Sequence, residues 1–335
     1  MFRETLAIPS FVAILVAARS AGGYCRTSTC ALPADYSPSV EGECYPADFV
    51  ATCQDQTTPV TPVPLWWRNA CVSYDIQQNA SVQVPYDTAA LLAAEAFSKW
   101  TATICQTAGG WGRVSIDARD LGPVSCDQVQ YNSDQGNQHV IIFRDDGSSD
   151  FDTINTLGLT TVTFDPTTGE IYDADMEINS SVTLAISDPV PSDGYDFQSI
   201  ITHEAGHFLG LAHSVATDTT MYAIYSPGST SKRILTADDM AGICAIYPPG
   251  GTRSVDPSVD PSGQVAQDFC DPTPRHGFQS QCSQPVSASC SASPVEPSSP
   301  PVPVAIGAAA LVGAAGAFRR WHHRRSDTRD RASSV

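Results

Sequence analysis

The chain has 335 residues, 36 of them acidic against 18 basic, for a formal net charge of -18. That balance excludes nucleic acid as a partner, because phosphate binding needs a basic surface. Six of the basic residues are arginines between Arg319 and Arg331, so what precedes them is more acidic still; the length accommodates one sizeable domain with extensions, or two small domains.

The N-terminus has the layout of an export signal over residues 1–22. Arg3 precedes an apolar stretch at 6–18, small residues follow at 18–23, and cleavage is expected between Ser20 and Gly23. Glu4 and Pro9 depart from that layout, and a buried first helix is the other reading. Eleven cysteines fit an exported chain, since disulfides persist outside the reducing cytosol. None forms a CxxC pair, which leaves cysteine-based zinc sites and thioredoxin-type redox chemistry without support. Eleven is odd, so at least one thiol lacks an intramolecular partner; Cys290, alone in a Ser/Pro-rich stretch, is the candidate.

Residues 23–65 hold Cys25, Cys30, Cys44 and Cys53 among several prolines and end in PVTPVPL, as a small stapled segment running into an extended linker would. From Trp66 the pattern changes. VSYDIQQ (72–78) alternates like a strand, and DTAALLAAEAFSKWTATIC (87–105) has helical apolar spacing behind the N-cap candidate Asp87. HVIIFRD (139–145) reads as a buried strand. TTVTF (160–164) and EIYDADMEIN (170–179) flank DPTTG as a hairpin or close strand pair. A helix is predicted from about 196 to 209. A short last helix, TADDMAGICAIY (236–247), opens on the cap candidate Thr236 with Asp at its third position.

After Pro248 the composition shifts to Pro, Ser, Gly and Asp, including SVDPSVDPS, which predicts a linker over 249–301. Residues 302–318 form an uncharged Ala/Gly-rich run of 17, followed by RRWHHRR. This lies at the lower length limit for a membrane span. With the arginines on the cytoplasmic side, 302–335 is expected to be a sorting or anchor tail; a disordered Ala-rich end is the alternative.

HEAGHFLGLAH (203–213) places three of the chain's seven histidines and one glutamate in eleven positions. His203 and His207, four apart on a helix, share a face and can aim at one point, with Glu204 beside it. His213 cannot join them from the same helix. Ten residues at a rise of about 1.5 Å would carry it roughly 15 Å away, whereas ligand nitrogens stand about 2 Å from zinc. The chain must stop and turn, and Gly210 suits that: it can adopt the left-handed conformation, and it keeps a side chain off the metal-facing side. Three imidazoles leave the fourth position of a tetrahedral zinc (Zn2+) open for water, the layout of a catalytic site, and Glu204 is placed to act as general base. HExxH alone is weak evidence. The added Gly and His bring chance occurrence down to about one chain in a hundred thousand of this length, and the surrounding apolar residues would strand the polar groups unless a metal satisfied them.

The motif His203-Glu204-x-x-His207-x-x-Gly210-x-x-His213, followed by Ser214, resembles that of the metzincins and specifically the matrixins. Met221, eight residues beyond His213, resembles the Met-turn beneath the metal, although core filler is the ordinary reading of such a methionine. LTADDMAGICAIYP and AFSKWTATIC resemble the closing and first helices of the matrixin catalytic domain. The resemblance covers about 66–248 and implies an α/β (α+β) metzincin, zincin-like fold: a twisted, mostly parallel sheet with an active-site helix and a C-terminal helix. It further implies one catalytic zinc on His203, His207 and His213, with Glu204 as general base of a zinc-dependent endopeptidase.

Departures from the family pattern are specific. Ala223 stands where matrixins usually have Pro. Only His139 is available for a second, structural zinc, so none is expected. No PRCGxPD-type inhibitory segment is present; Cys25, Cys30, Cys44 or Cys53 could cap zinc as a thiolate, but pairing with one another is the commoner outcome. Asp145, Asp146, Asp165, Asp173, Asp175 and Glu177 are candidates for calcium (Ca2+), as in similar loops of the family, with solvated turns as the equal alternative. The tail resembles the C-terminal sorting tails of myxobacterial surface proteins, which implies a bacterial, secreted protein.

The expectation is therefore an exported, monomeric metalloendopeptidase at the cell surface or outside the cell, acting on protein or peptide and attached to the membrane, if at all, through its tail. A rival of another class is a non-proteolytic surface binding or adhesion module on the same fold; such relatives usually lose the glutamate or a ligand, and both are intact here. A zinc hydrolase acting on something other than protein is the enzymatic rival.

Overall fold

The computed structural model describes residues 24–29, 63–147, 156–250, 253–254, 264–265 and 270–283. In chain order these form β1 (Cys25–Arg26), β2 (Cys71–Gln77), α1 (Tyr86–Thr101), β3 (Ile104–Thr107), β4 (Gly110–Arg113), β5 (Asp117–Val124), β6 (Val140–Phe143), β7 (Gly158–Phe164), β8 (Ile171–Ile178), β9 (Leu184–Ala185), β10 (Tyr195–Asp196), α2 (Phe197–Phe208), β11 (Leu211–Ala212), a 3-10 turn (Ser231–Arg233), α3 (Ala237–Ile246), β12 (Arg253–Ser254) and β13 (Gln264–Val265).

The main sheet runs β5-β2-β6-β8-β7. Its first four strands are parallel neighbours, and β7 closes one edge antiparallel to β8 through the DPTTG turn. This is the expected α/β architecture, mostly parallel, with a helix that carries the histidine motif and a C-terminal helix. The alternation read in VSYDIQQ does not translate into one wet face: Cys71 to Ile76 are buried without interruption. A parallel strand between two others is covered on both sides.

α1 buries Ala89, Ala93, Phe97 and Ala96, Trp100 at helical spacing. Phe97 stacks on Tyr74 of β2 at 4.3 Å and meets Phe208 of α2 edge-on at 5.2 Å. The Trp100 indole donates to Thr202 O at 2.8 Å, which fixes α1 against α2. Two boundaries differ from expectation. α1 begins at Tyr86 behind Pro85, so Asp87 lies in the first turn, where it complements the helix dipole, and is not the cap. It also ends at Thr101: Ile104 and Cys105 belong to the β3–β4 hairpin, held by the Cys105–Cys244 disulfide to α3.

Both flanks of the expected catalytic segment are tied to it. β1 pairs antiparallel with β11, Cys25 opposite Ala212 and Arg26 opposite Leu211. At the other end, residues 270–283, inside the expected linker, are fastened by Cys71–Cys270 and Cys126–Cys282. Arg275 adds an ion pair to Glu170 at 3.5 Å and lies over the Tyr172 ring at 4.0 Å. Composition alone gave no warning of this, because the strap is held by cross-links and backbone pairing and not by apolar burial. Among the described residues no helix is long and apolar enough to cross a membrane. Residues 1–22, Cys30, Cys44, Cys53, Cys290 and the tail 302–335 lie outside the described residues.

Candidate metal centre

α2 starts at a well-made cap. Asp196 accepts the Ser199 amide at 2.9 Å and its hydroxyl at 2.7 Å, and Arg233 grips both oxygens of the same carboxylate at 2.6 and 2.7 Å. The helix ends at Phe208, and Gly210 takes φ +98°. The sequence suggested that a side chain there would intrude on the metal side, but it would meet Leu65 and Ile246 instead. Its Cβ would stand 2.9 Å from the Leu65 carbonyl, because residues 63–65 and 24–29 wrap this turn. Thr27 donates its amide to Gly210 O at 2.9 Å and its hydroxyl to Leu211 O at 2.9 Å. So held, β11 delivers His213 to the two helix imidazoles.

The three rings converge. His207 Nε2 stands 3.1 Å from His203 Nε2 and 3.2 Å from His213 Nε2. A tetrahedral ion with bonds of about 2.0–2.1 Å separates its nitrogens by about 3.3–3.4 Å. The two helix rings are turned by backbone carbonyls: His203 Nδ1 donates to Thr220 O at 2.7 Å and His207 Nδ1 to Leu211 O at 2.8 Å. A carbonyl can only accept, so each Nδ1 carries the proton and each Nε2 presents a lone pair to the common point. Burial pushes the His207 pKa down to about 4, which keeps that ring neutral. Lone pairs facing each other at such distances repel unless a cation lies between them. Among the described residues this trio is the one His/Cys/Asp/Glu group with ligand atoms close enough to hold a metal ion.

Glu204 lies beside the trio, buried at 4% exposure. Thr160 on edge strand β7 donates its hydroxyl to Glu204 Oε2 at 2.8 Å. A Cβ on Gly158 would stand 2.6 Å from Glu204 Oε1, so the strand clears the carboxylate on that side. Burial raises the Glu204 pKa to about 7, against the lowering effect of the Thr160 hydrogen bond.

Met221 is 1% exposed and lies under α2 at Gly206, where an added Cβ would collide with Met221 Sδ and come within 2.8 Å of Trp100. Asp239 of α3 accepts the Thr220 and Met221 amides at 2.9 and 3.0 Å, and Met221 O accepts the Ser214 amide at 2.9 Å. Sequence reasoning placed Asp239 in a cap, and it does reciprocate Thr236 in a capping box. Its grip on the methionine turn needed the tertiary fold to be seen. Thr160, Gly158, Thr220 and Lys232 were not signalled at all, since each acts through a partner far away in sequence.

The other candidates are dispersed. Asp145 accepts from Ser81 and Val82, and Asp165 from Thr167 and Thr168 within the DPTTG turn and from Tyr172 on β8. Asp175 accepts the Val140 and Gln130 amides, and Glu177 pairs with Arg144 at 2.7 Å. Asp173 is buried 3.9 Å from His139, and Asp146 lies beside Asp145 in the turn after β6. Cys25 is disulfide-bonded and so is not a capping thiolate.

Comparison with known proteins agrees with this geometry. The chain is 32% identical over 103 residues to metalloendoproteinase 1-MMP of Arabidopsis thaliana, covering 30% of this chain and 27% of the relative. It is 33% identical over 165 residues to human (Homo sapiens) neutrophil collagenase, 48% of this chain and 32% of the relative. Rat (Rattus norvegicus) matrilysin is 43% identical over 54 residues, 16% of this chain and 20% of the relative. The chain thus spans a third or less of the length of these relatives. The family model for peptidase M10, matrixin, matches residues 66–248, more than half of the chain, and the protein belongs to the matrixin family.

Proposed function

We propose that the protein is a zinc-dependent endopeptidase in which His203, His207 and His213 hold one catalytic zinc, Glu204 is the general base and Met221 underlies the site. The observation that carries this reading is the convergence of three imidazole Nε2 atoms at 3.1–3.2 Å beside a buried carboxylate. The donor set is all neutral nitrogen, which suits zinc and leaves a coordination position for chemistry. When bound, the ion acidifies water and polarises the scissile carbonyl.

The chain's own residues supply the rest. Glu204 takes the proton of the attacking water at its carboxylate and passes it to the leaving amine. Thr160 holds one carboxylate oxygen, so the group keeps one orientation through both transfers. β7 is the edge of the main sheet, and a peptide adding to that edge would run past Gly158 and Thr160, next to Glu204. The substrate is accordingly protein or peptide in extended form.

The setting we propose is outside the cytosol, as a monomer at the cell surface or in the medium. Three disulfides among the described residues favour an oxidising compartment, and residues 1–22 and 302–335 supply an export signal and a sorting or anchor tail. Elemental analysis and peptide-cleavage mapping test the activity: one zinc per chain and metal-dependent internal cleavage are expected, and both should vanish in His207→Ala. A metal-free, active protein would overturn the reading. Deleting 302–335 should shift enzyme from the cell envelope to the medium, and an unchanged distribution would remove the tail from the account.

A further inference from the structure

The two carbonyls that turn the helix imidazoles each accept a second hydrogen bond, from a segment remote in sequence. Thr220 O, which accepts His203 Nδ1–H at 2.7 Å, also accepts Lys232 Nζ at 3.2 Å. Leu211 O, which accepts His207 Nδ1–H at 2.8 Å, also accepts the Thr27 hydroxyl at 2.9 Å. Carbonyl oxygens have two lone pairs, so both acceptors are filled.

Lys232 is an unusual residue to find at this place. It is 6% exposed, and lysine is almost never so buried without a reason. Its ammonium has three protons and gives them to three backbone carbonyls, Thr219 O at 3.5 Å, Thr220 O and Tyr222 O. It lies 4.7 Å over the Tyr225 ring, which also packs against His203 at 5.4 Å between ring centroids. With its protons committed, the ammonium has no donor left for a substrate group. Its three acceptors bracket Met221, so it cross-links the turn that carries Thr220 O, the acceptor of His203 Nδ1–H. Arg233, the next residue, holds the Asp196 cap of α2. The 231–233 turn therefore ties the start of the ligand helix to the loop that orients its first histidine.

We propose that Lys232 and Thr27 are positioning residues for the metal centre, acting through Thr220 O and Leu211 O to fix the rotation and tautomer of His203 and His207. This rests on the zinc reading above. Partners that orient ligating imidazoles are commonly worth 10–100-fold in metal affinity. Lys232, one bond further from the metal, should be worth about tenfold and Thr27 about threefold, at the low end of that range or below it.

The test uses the full chain, parent and variants, with zinc affinity measured against a chelating dye, the visible spectrum of the cobalt(II)-substituted protein, and urea unfolding of the metal-free form. Lys232→Met keeps the stem and removes the donors; Thr27→Val keeps the shape and removes the hydroxyl; Ile141→Val loosens the core on β6, an element that carries neither carbonyl. The expected result is weaker zinc binding and an altered cobalt spectrum in Lys232→Met and Thr27→Val, with both at parental values in Ile141→Val. Should Lys232→Met fail to fold, Thr27→Val decides alone. Parental affinity and spectrum in the folded variants overturn the proposal, as does an equal loss in Ile141→Val, which would mean general loosening. A parent chain that binds no zinc would instead overturn the function proposed above.

Discussion

The Thr160 hydroxyl donates to Glu204 Oε2 at 2.8 Å, tying the carboxylate beside the histidine trio to the edge strand of the sheet. Replacing Thr160 by Val keeps the β-branched shape and removes the donor. A hydrogen bond to a charged group is worth about 1.5–3 kcal/mol, so kcat should fall about tenfold or more while zinc content stays at one. Steady-state peptide hydrolysis with elemental analysis checks this, and an unchanged kcat would mean that Glu204 needs no such hold.

Gly206, in the middle of the motif, faces Met221 and Trp100 with no room for a methyl group. Gly206→Ala should destabilise the protein by about 1–3 kcal/mol through overpacking. Part of that cost should be recovered in Gly206→Ala/Met221→Ala, where the collision is relieved. A double-mutant cycle by urea unfolding reads the coupling, and strict additivity would show that the methionine does not press on the helix at that point.

Asp75 on β2 is fully buried, and burial raises its pKa from 3.8 to about 8, with the amide hydrogen bond from His139 opposing. The folded state thus holds a proton that the unfolded chain releases. The stabilisation from neutral Asp75 is complete below pH 3.8 and is lost as pH rises through about 8, at up to about 1.4 kcal/mol per pH unit. His139, pushed down by burial from 6.5 to about 4, acts in the opposite sense, its contribution present above 6.5 and lost as pH falls to 4. The two offset each other between 4 and 6.5. Stability should therefore decline from pH 6.5 to 8 in the metal-free parent, and Asp75→Asn should decline less, keeping only the part up to about 7 that the raised Glu204 pKa contributes. Urea unfolding across that range measures it, and parallel curves for the two proteins would contradict it.

Cys71–Cys270 and Cys126–Cys282 span sequence separations of 199 and 156 residues. A chain ending at residue 250 loses both, along with the Arg275–Glu170 pair. Removing a native disulfide typically costs about 2–5 kcal/mol. The truncated protein should unfold at clearly lower urea concentration than the full chain, and equal midpoints would mean that 270–283 is a passive appendage.

How much of this was legible in the sequence follows the range of the interaction. Local signals read well: Thr236 and Asp239 as a capping pair, the DPTTG hairpin, the break at Gly210 that releases His213. Asp87 misled because a good capping residue two positions into a helix looks the same as one at its start. β5, DARDLGPV, was invisible, since Asp, Gly and Pro argue against a strand. It forms at the sheet edge, where Pro123 needs no ladder donor and a bulge opposite Tyr74 and Ile76 absorbs the irregularity. The strap at 270–283, the grip of Lys232 on the methionine turn and the reach of Thr160 to Glu204 link residues 10 to 199 positions apart, beyond what any periodicity encodes.

Glu204→Gln is the most direct test of the central claim, because it separates the metal cage from the proton transfer. The amide cannot take a proton from water, whereas the three imidazoles proposed to hold the ion are untouched. Peptide hydrolysis by the zinc-loaded variant should fall about 10²–10⁴-fold below the parent, with zinc still bound at one per chain. Hydrolysis near the parental rate at full zinc loading would contradict the assignment of Glu204 as the base.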